Sequence, residues 1–278
     1  MSSADMGITL KALNGETLLV GLLGDPVKQV RSPRGLTARM QALGMNAIQL
    51  PLHVTPADFV AFIAASKRVS NIVGHVLTVP HKIAGLGVVD QLTDTAKAAG
   101  SINLMRREKD GSWLGHNVDG IGLVKGLVAD GSDPRGKTIF IAGAGGAGCG
   151  GAAALADAGA RYLRIFDTSA DRIADLANRI RLHYPKVKVE ALDAPDPSSA
   201  DIAVNATPLG MQPGDPFPLD ISRLSPGAVV AEFVMKPSVT PLLAAARAAG
   251  HKVSLGENVM NYQQPYAAAF FLEATATC

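Results

Sequence analysis

Residues 137–151 read KTIFIAGAGGAGCGG, a β-branched and aromatic run that breaks at a glycine and restarts as an Ala/Gly-rich stretch. Gly143, Gly145 and Gly148 satisfy G-x-G-x-x-G. In that pattern one glycine permits a tight turn, one lets a pyrophosphate approach the backbone, and one brings helix against strand. The N-terminus of the helix then meets the anionic charge. Alone the pattern is weak, because glycine-rich turns are common. Here it follows a strand, opens a helix, and is joined by Asp167 at about the 20-residue spacing of the acidic ribose ligand. The stretch therefore implies a dinucleotide-binding βαβ unit. A carboxylate at Asp167 accepts both ribose hydroxyls and repels a 2′-phosphate, so NAD is expected in preference to NADP. Arg172, in the run DTSADR (167–172), reads as a solvated helix charge rather than a phosphate clamp.

Working outward, the same alternation continues to about residue 255. YLRIFD (162–167), VKVEAL (187–192), DIAVNATP (201–208), AVVAEFV (228–234) and HKVSL (251–255) read as strands between helical stretches. Upstream, TLLVGLLG (17–24), NAIQLPLHV (46–54) and NIVGHVLTV (71–79) are strands. Helices are expected from Pro33 to Leu43, after Thr55-Pro56, over HKIAGLGVVDQL (81–92) and over DTAKAAG (94–100). A β-α-β-α order implies a mostly parallel sheet. The fold class is thus α/β with two domains facing each other across a cleft. Residues 1–119 form a mostly parallel α/β domain, completed by the closing helix 257–278. Residues 120–256 form a Rossmann-type dinucleotide domain.

Bulk properties exclude other classes. Of 278 residues 47% are hydrophobic and 18% charged, with a net charge of +2; no basic run tracks a phosphate backbone, so nucleic acid is not an expected partner. No apolar run reaches the roughly 18 residues of a membrane span, and the first residues lack the apolar core of a secretory signal. Cys149 and Cys278 fit no zinc spacing, so reduced thiols, no metal and a cytoplasmic monomer or homodimer are expected.

The first half carries its own chemistry. LTVPHK (77–82) stops a strand at a proline and then offers Lys82. A lysine after Pro-His is ordinarily solvated surface. Yet Ser32, Thr78, Asn103 and the HNVDG stretch with Asp119 also end strands or start loops, and parallel-strand ends gather at one edge facing the dinucleotide. A lysine supported by an aspartate there is suited to proton transfer in alcohol–ketone interconversion. Asn205, Thr207 and Leu209 lie where DIAVNATPLGM turns from strand to loop and are expected against the nicotinamide half.

LTVPHK, GSINLM, NVDG, GAGGAG, NATPLGM, TPLLAAA and the Gly256–Gln263 stretch together resemble, in the same order, the shikimate/quinate dehydrogenase family, from about Leu18 to Leu272. The resemblance implies that Lys82 is the proton-transfer residue and Asp119 its partner. It further implies that Thr78, Asn103 and Gln263 hold substrate, with Gln264 a rival register. The implied cofactor contacts are Gly143, Ala144, Gly145, Gly146, Ala147 and Gly148 of the turn. Asp167, Thr168, Asn205, Thr207, Leu209, Val234 and Gly256 complete that set. Two stretches depart from the family. S-x-S-P becomes QVRSP, so Val30 replaces a hydroxyl that grips the substrate carboxylate, leaving Ser32 and bringing in Arg31, which can clamp an acid bidentately. In AEFVMKPSVTP (231–241), Met235 and Lys236 stand where a tyrosine and an asparagine are usual.

The implied activity is hydride transfer between a nicotinamide cofactor and a secondary hydroxyl of a cyclic polyhydroxy acid of the shikimate or quinate type. The alternatives are a dehydrogenase of an amino-substituted analogue, set by Val30-Arg31-Ser32, and a cofactor-binding sensor without turnover.

Overall fold

The computed structural model describes residues 13–275. Residues 1–12 and 276–278, Cys278 among them, lie outside the described residues. The chain divides into two compact units: one built from residues up to 91, 103–115 and 264 onward, the other from 92–102 and 116–263.

The chain begins with β1 (Leu18–Gly24), α1 (Ser32–Ala42), β2 (Ala47–His53), α2 (Phe59–Ser66), β3 (Ile72–Leu77), α3 (His81–Ala84) and β4 (Gln91–Leu92). After α4 (Asp94–Ala99), which belongs to the second unit, come β5 (Leu104–Arg107) and β6 (Trp113–His116). The sheet order is β2-β1-β3-β5-β6-β4. β1 pairs in parallel with β2 and with β3, and β5 runs antiparallel to β3. A central parallel strand is covered on both faces, which is why β1 is apolar throughout and buries Val20, Leu22 and Leu23. α1 carries Pro33 in its first turn, where a missing N–H costs nothing, and buries Leu36, Thr37 and Met40. The parallel pairing brings the ends of β1, β2 and β3 (Gly24, His53 and Leu77) to one edge.

One stretch departs from its expected helix. HKIAGLGVVDQL gives the single turn α3, a 3₁₀ turn over Gly85–Gly87, and then β4. Gly85 and Gly87 weaken helix propagation, and the Asp90 N–H donates to Trp113 O at 2.9 Å, drawing the chain into the sheet.

The second unit holds α5 (Asp119–Ala129), β7 (Thr138–Ala142), α6 (Gly146–Asp157), β8 (Tyr162–Phe166), α7 (Ala170–His183), β9 (Lys188–Ala191), β10 (Ile202–Asn205), β11 (Val229–Glu232), α8 (Pro241–Ala248) and β12 (Lys252–Ser254). Its six-stranded sheet has the order β12-β11-β10-β7-β8-β9 and is parallel throughout. Strand order reverses between β7 and β10, the switch point of a doubly wound Rossmann sheet. Alternate residues supply the two cores. Ile139, Ile141 and Val204 pack with Ala152, Leu155 and Leu176 on one face, and Phe140, Ala203 and Val230 with Leu242 and Leu243 on the other.

The last helix, α9 (Gly256–Thr275), contributes residues 256–263 to the second unit and the remainder to the first. In the first unit Arg39 Nε donates to Gln264 Oε1 at 3.0 Å, Arg106 Nη1 donates to Phe270 O at 3.0 Å, and Phe271 is fully buried. Among the described residues no helix is long and apolar enough to cross a membrane.

Candidate functional site

In the second unit the glycine-rich turn sits at the carboxyl end of β7. Gly143 takes φ +102°, a left-handed conformation that glycine alone adopts without strain, and its N–H donates to Phe166 O at 2.7 Å. A Cβ at Gly148 would stand 1.9 Å from Gly143 O, so only glycine lets α6 pack this close to the turn. Gly145 starts α6 without a side-chain cap, whereas α7 and α8 are capped by the Ser169 and Thr240 hydroxyls. The first amides of α6, across Gly146, Ala147 and Gly148, are thus left to an anion. A Cβ at Gly145 would meet no atom within 4 Å, so the backbone is open where a pyrophosphate approaches. These residues fit a dinucleotide.

The neighbouring strand ends complete this edge. Asp167 follows β8, with exposed Thr168 after it. Asn205 ends β10, and its Oδ1 accepts the Thr207 N–H at 3.0 Å and hydroxyl at 2.7 Å, while its Nδ2 donates to Leu209 O at 3.0 Å. Val234 follows β11, and a Cβ at Gly256 would lie 2.1 Å from Val234 O. Every candidate cofactor contact read from the sequence therefore falls at the carboxyl edge of this sheet or on the start of α9.

Glu232, which the sequence reading passed over, braces the same loop. It ends β11 with 0% exposure, and its Oε2 accepts the Thr240 hydroxyl at 3.1 Å and Asn205 Nδ2 at 3.5 Å. Its Oε1 has no partner among the described residues. Burial pushes this carboxyl up to about 7 from 4.5. A folded-state value above the unfolded one means the proton is held more tightly in the folded chain. The resulting stabilisation is full below about pH 4.5 and is lost as pH rises through about 7, up to about 3 kcal/mol. Glu232→Gln therefore flattens the stability loss between about pH 5 and pH 8. Thermal unfolding of both proteins across that range checks it, and parallel pH profiles would refute it.

Asp119 opens α5 and is 4% exposed. Its N–H donates to Asn117 Oδ1 at 3.0 Å, Asn117 Nδ2 donates to Ser101 Oγ at 3.0 Å, and Ser101 Oγ donates to Gly146 O at 2.9 Å. The asparagine of NVDG and the serine of GSINLM thus tie Asp119 to the glycine-rich helix. Both lie inside motifs quoted above, yet no role was read from them. Gln263, half-buried on α9, faces Gly122 of α5 within this unit, whereas its rival Gln264 is buried in the first unit against Gly35.

In the first unit Thr78 and Lys82 follow β3. The Thr78 N–H donates to Leu23 O at 2.9 Å, and the Leu77 N–H donates to Asn103 O at 2.8 Å. Thr78 and Asn103 are thereby fixed at the ends of β1 and β3. Lys82 is half-buried on α3. Its neighbour His81 anchors that turn: Nε2 lies 2.7 Å from Val54 O, and the ring stacks on Phe59 at 4.4 Å. Arg31 is exposed just before α1, and Ser32 Oγ donates to Gln49 Oε1 at 3.1 Å.

A model of the shikimate dehydrogenase substrate binding domain matches residues 22–105. Shikimate dehydrogenase (NADP(+)) of Rubrobacter xylanophilus is 38% identical over 92% of this chain and 91% of its own. A crystal structure of shikimate dehydrogenase in complex with NADP+ superposes with a TM-score of 0.84 at 30% identity, covering 94% of this chain and 92% of that one. The Thermus thermophilus enzyme in complex with NADP(H) and shikimate gives 0.80 at 26% identity, covering 92% and 94%. These relatives overturn the expectation of NAD over NADP. The geometry shows where that expectation failed. The Asp167 side chain is only 8% exposed, with Oδ2 accepting the Ala144 N–H at 2.7 Å and Oδ1 the Ser169 N–H at 2.9 Å. Its oxygens brace the turn, and the Arg172 guanidinium, 60% exposed and 3.9 Å from Oδ1, offsets its charge. With 38% identity across nearly the whole of both chains, this protein belongs to the shikimate/quinate dehydrogenase family.

Proposed function

We propose that this chain is an NADP-dependent dehydrogenase interconverting shikimate and 3-dehydroshikimate. The first unit serves as the substrate domain and the second as the cofactor domain, the second taking in residues 92–102, 116–119 and 257–263 beyond the 120–256 read from the sequence. The reading is carried by Lys82, half-buried on an anchored turn at the strand edge that also presents Thr78 and Asn103. Bound NADP+ supplies the hydride acceptor. As the C–H electron pair leaves the substrate carbinol, Lys82 Nζ takes the hydroxyl proton and the carbonyl forms; in reduction the proton returns. The family resemblance assigns Asp119 the support of the ammonium. Thr78, Asn103 and Gln263 hold ring hydroxyls, while Ser32 and Arg31 take the carboxylate. The turn at 143–148 cradles the pyrophosphate and Arg172 meets the 2′-phosphate. A cytoplasmic setting belongs to the same proposal.

The test follows NADP+ and NAD+ reduction by absorbance with shikimate, quinate and amino-shikimate analogues. Turnover is expected with shikimate and NADP+. Cofactor binding without turnover on any acid would instead support a sensor. Arg172→Ala is expected to raise KM for NADP+ about tenfold, the worth of one charge-assisted contact, and to leave NAD+ unaffected.

A further inference from the structure

Gln49 lies on β2, 4% exposed, its backbone N–H donating to Thr37 Oγ1 at 2.9 Å. Its side chain is half satisfied. Oε1 accepts the Ser32 hydroxyl at 3.1 Å, while the buried Nε2 has no partner among the described residues. A serine hydroxyl carries one proton. While that proton is given to Gln49, Ser32 can turn only lone pairs toward a ligand, and lone pairs repel a carboxylate. Reversing the amide is nearly isosteric, and because either orientation leaves one buried side-chain atom without a partner among the described residues, the two are closely balanced. Nε2 then donates to Ser32 Oγ, which ends the orphaned donor, and the Ser32 proton is released to point outward. The orientation in which Gln49 donates to Ser32 is the one that makes Ser32 an anion donor.

We propose that Gln49 is a positioning residue for substrate specificity, its amide setting whether Ser32 donates to the substrate's carboxylate. This rests on the reading of Ser32 as a carboxylate contact. It matters more here because Ser32 is the one hydroxyl-bearing residue in DPVKQVRS (25–32), where Val30 has taken the place of a second. Arg31 brings charge to that end of the substrate, and Ser32 brings direction.

The test compares shikimate with its analogue in which the carboxylate is reduced to hydroxymethyl, a group that can itself donate to Ser32. Steady-state KM and kcat are measured for wild type, Ser32→Ala, Gln49→Glu and Gln49→Met, with KM for NADP+ reporting an intact second unit. A glutamate at 49 can only accept when ionised, so it pins the Ser32 proton inward. Gln49→Glu is expected to raise KM for shikimate about 10- to 100-fold, to change kcat far less, and to move preference toward the hydroxymethyl analogue. Gln49→Met keeps the volume and frees the hydroxyl, and is expected to lower carboxylate preference only several-fold. A purely structural Gln49 would make the methionine variant as damaging as the glutamate one, with no change in preference; that result overturns the proposal. So does an unchanged preference in Gln49→Met, should Gln49→Glu fail to fold. If Ser32→Ala leaves KM for shikimate unaltered, the Ser32 contact itself is wrong and this inference falls with it. A raised KM in Ser32→Ala beside wild-type preference in both Gln49 variants rejects Gln49 alone.

Discussion

Lys82→Ala is expected to lower kcat for shikimate oxidation by about 10²–10⁴-fold, the span of a positioned acid–base group, with KM for NADP+ unchanged. The fold should survive the change, because the turn is anchored by its neighbour: His81 is held on Val54 O and stacked on Phe59. Lys82 itself is half-buried and contributes little to the core. Lys82→Arg separates proton transfer from charge. A guanidinium keeps the positive charge but does not release a proton in the accessible pH range. If the lysine moves a proton, arginine falls nearly as far as alanine. If it serves only as a cation, arginine retains activity within about tenfold, and the proton-transfer role is lost. Recovery of turnover in Lys82→Ala by a small primary amine, with a pH dependence following that amine, would supply the positive counterpart.

The same residue shows how far the sequence carries the argument. LTVPHK exposes a lysine after a strand, but only the sheet shows that Leu77 ends beside Leu23 and that Asn103 is tied across to it. Strand ends were legible because apolar runs of the right length stop at Gly, Pro or Asn, and the Rossmann half because glycine spacing is set by backbone contact. What escaped was side-chain hydrogen bonding between segments distant in sequence. Gln49 reads as one polar residue on an apolar strand until Ser32 is seen on it. Glu232 reads as a strand-end charge until Thr240 and Asn205 are seen to close over it. Asp167 failed the other way. The expected acidic residue is present, but spacing does not show whether its oxygens face a ribose or the N–H groups of Ala144 and Ser169. The helix expected over 81–92 was lost to Gly85 and Gly87, whose cost in a helix competes with the strand pairing open to Gln91 and Leu92.

Gly148→Ala should weaken NADPH binding by about 100-fold or more and cost about 1–3 kcal/mol of stability, the usual toll of overpacking. The new Cβ would stand 1.9 Å from Gly143 O and 2.9 Å from Gly143 C, with Ala206 Cβ at 3.3 Å. No flexible side chain is available to give way, since the nearest atoms are backbone. Gly143 has no retreat either, because its N–H is tied to Phe166 O and its other side lies against Ala206. α6 must therefore move off the turn, taking with it the first-turn amides that a pyrophosphate requires. Gly145→Ala supplies the contrast. Its φ of −76° suits any residue, and its Cβ meets nothing within 4 Å. That variant should melt like wild type yet bind NADPH more weakly, because the methyl group occupies only the space through which the phosphates approach. Thermal unfolding with fluorescence titration of NADPH separates the two: Gly148→Ala loses stability and affinity together, and Gly145→Ala loses affinity alone. Wild-type NADPH affinity in both variants would place the cofactor elsewhere than on this turn.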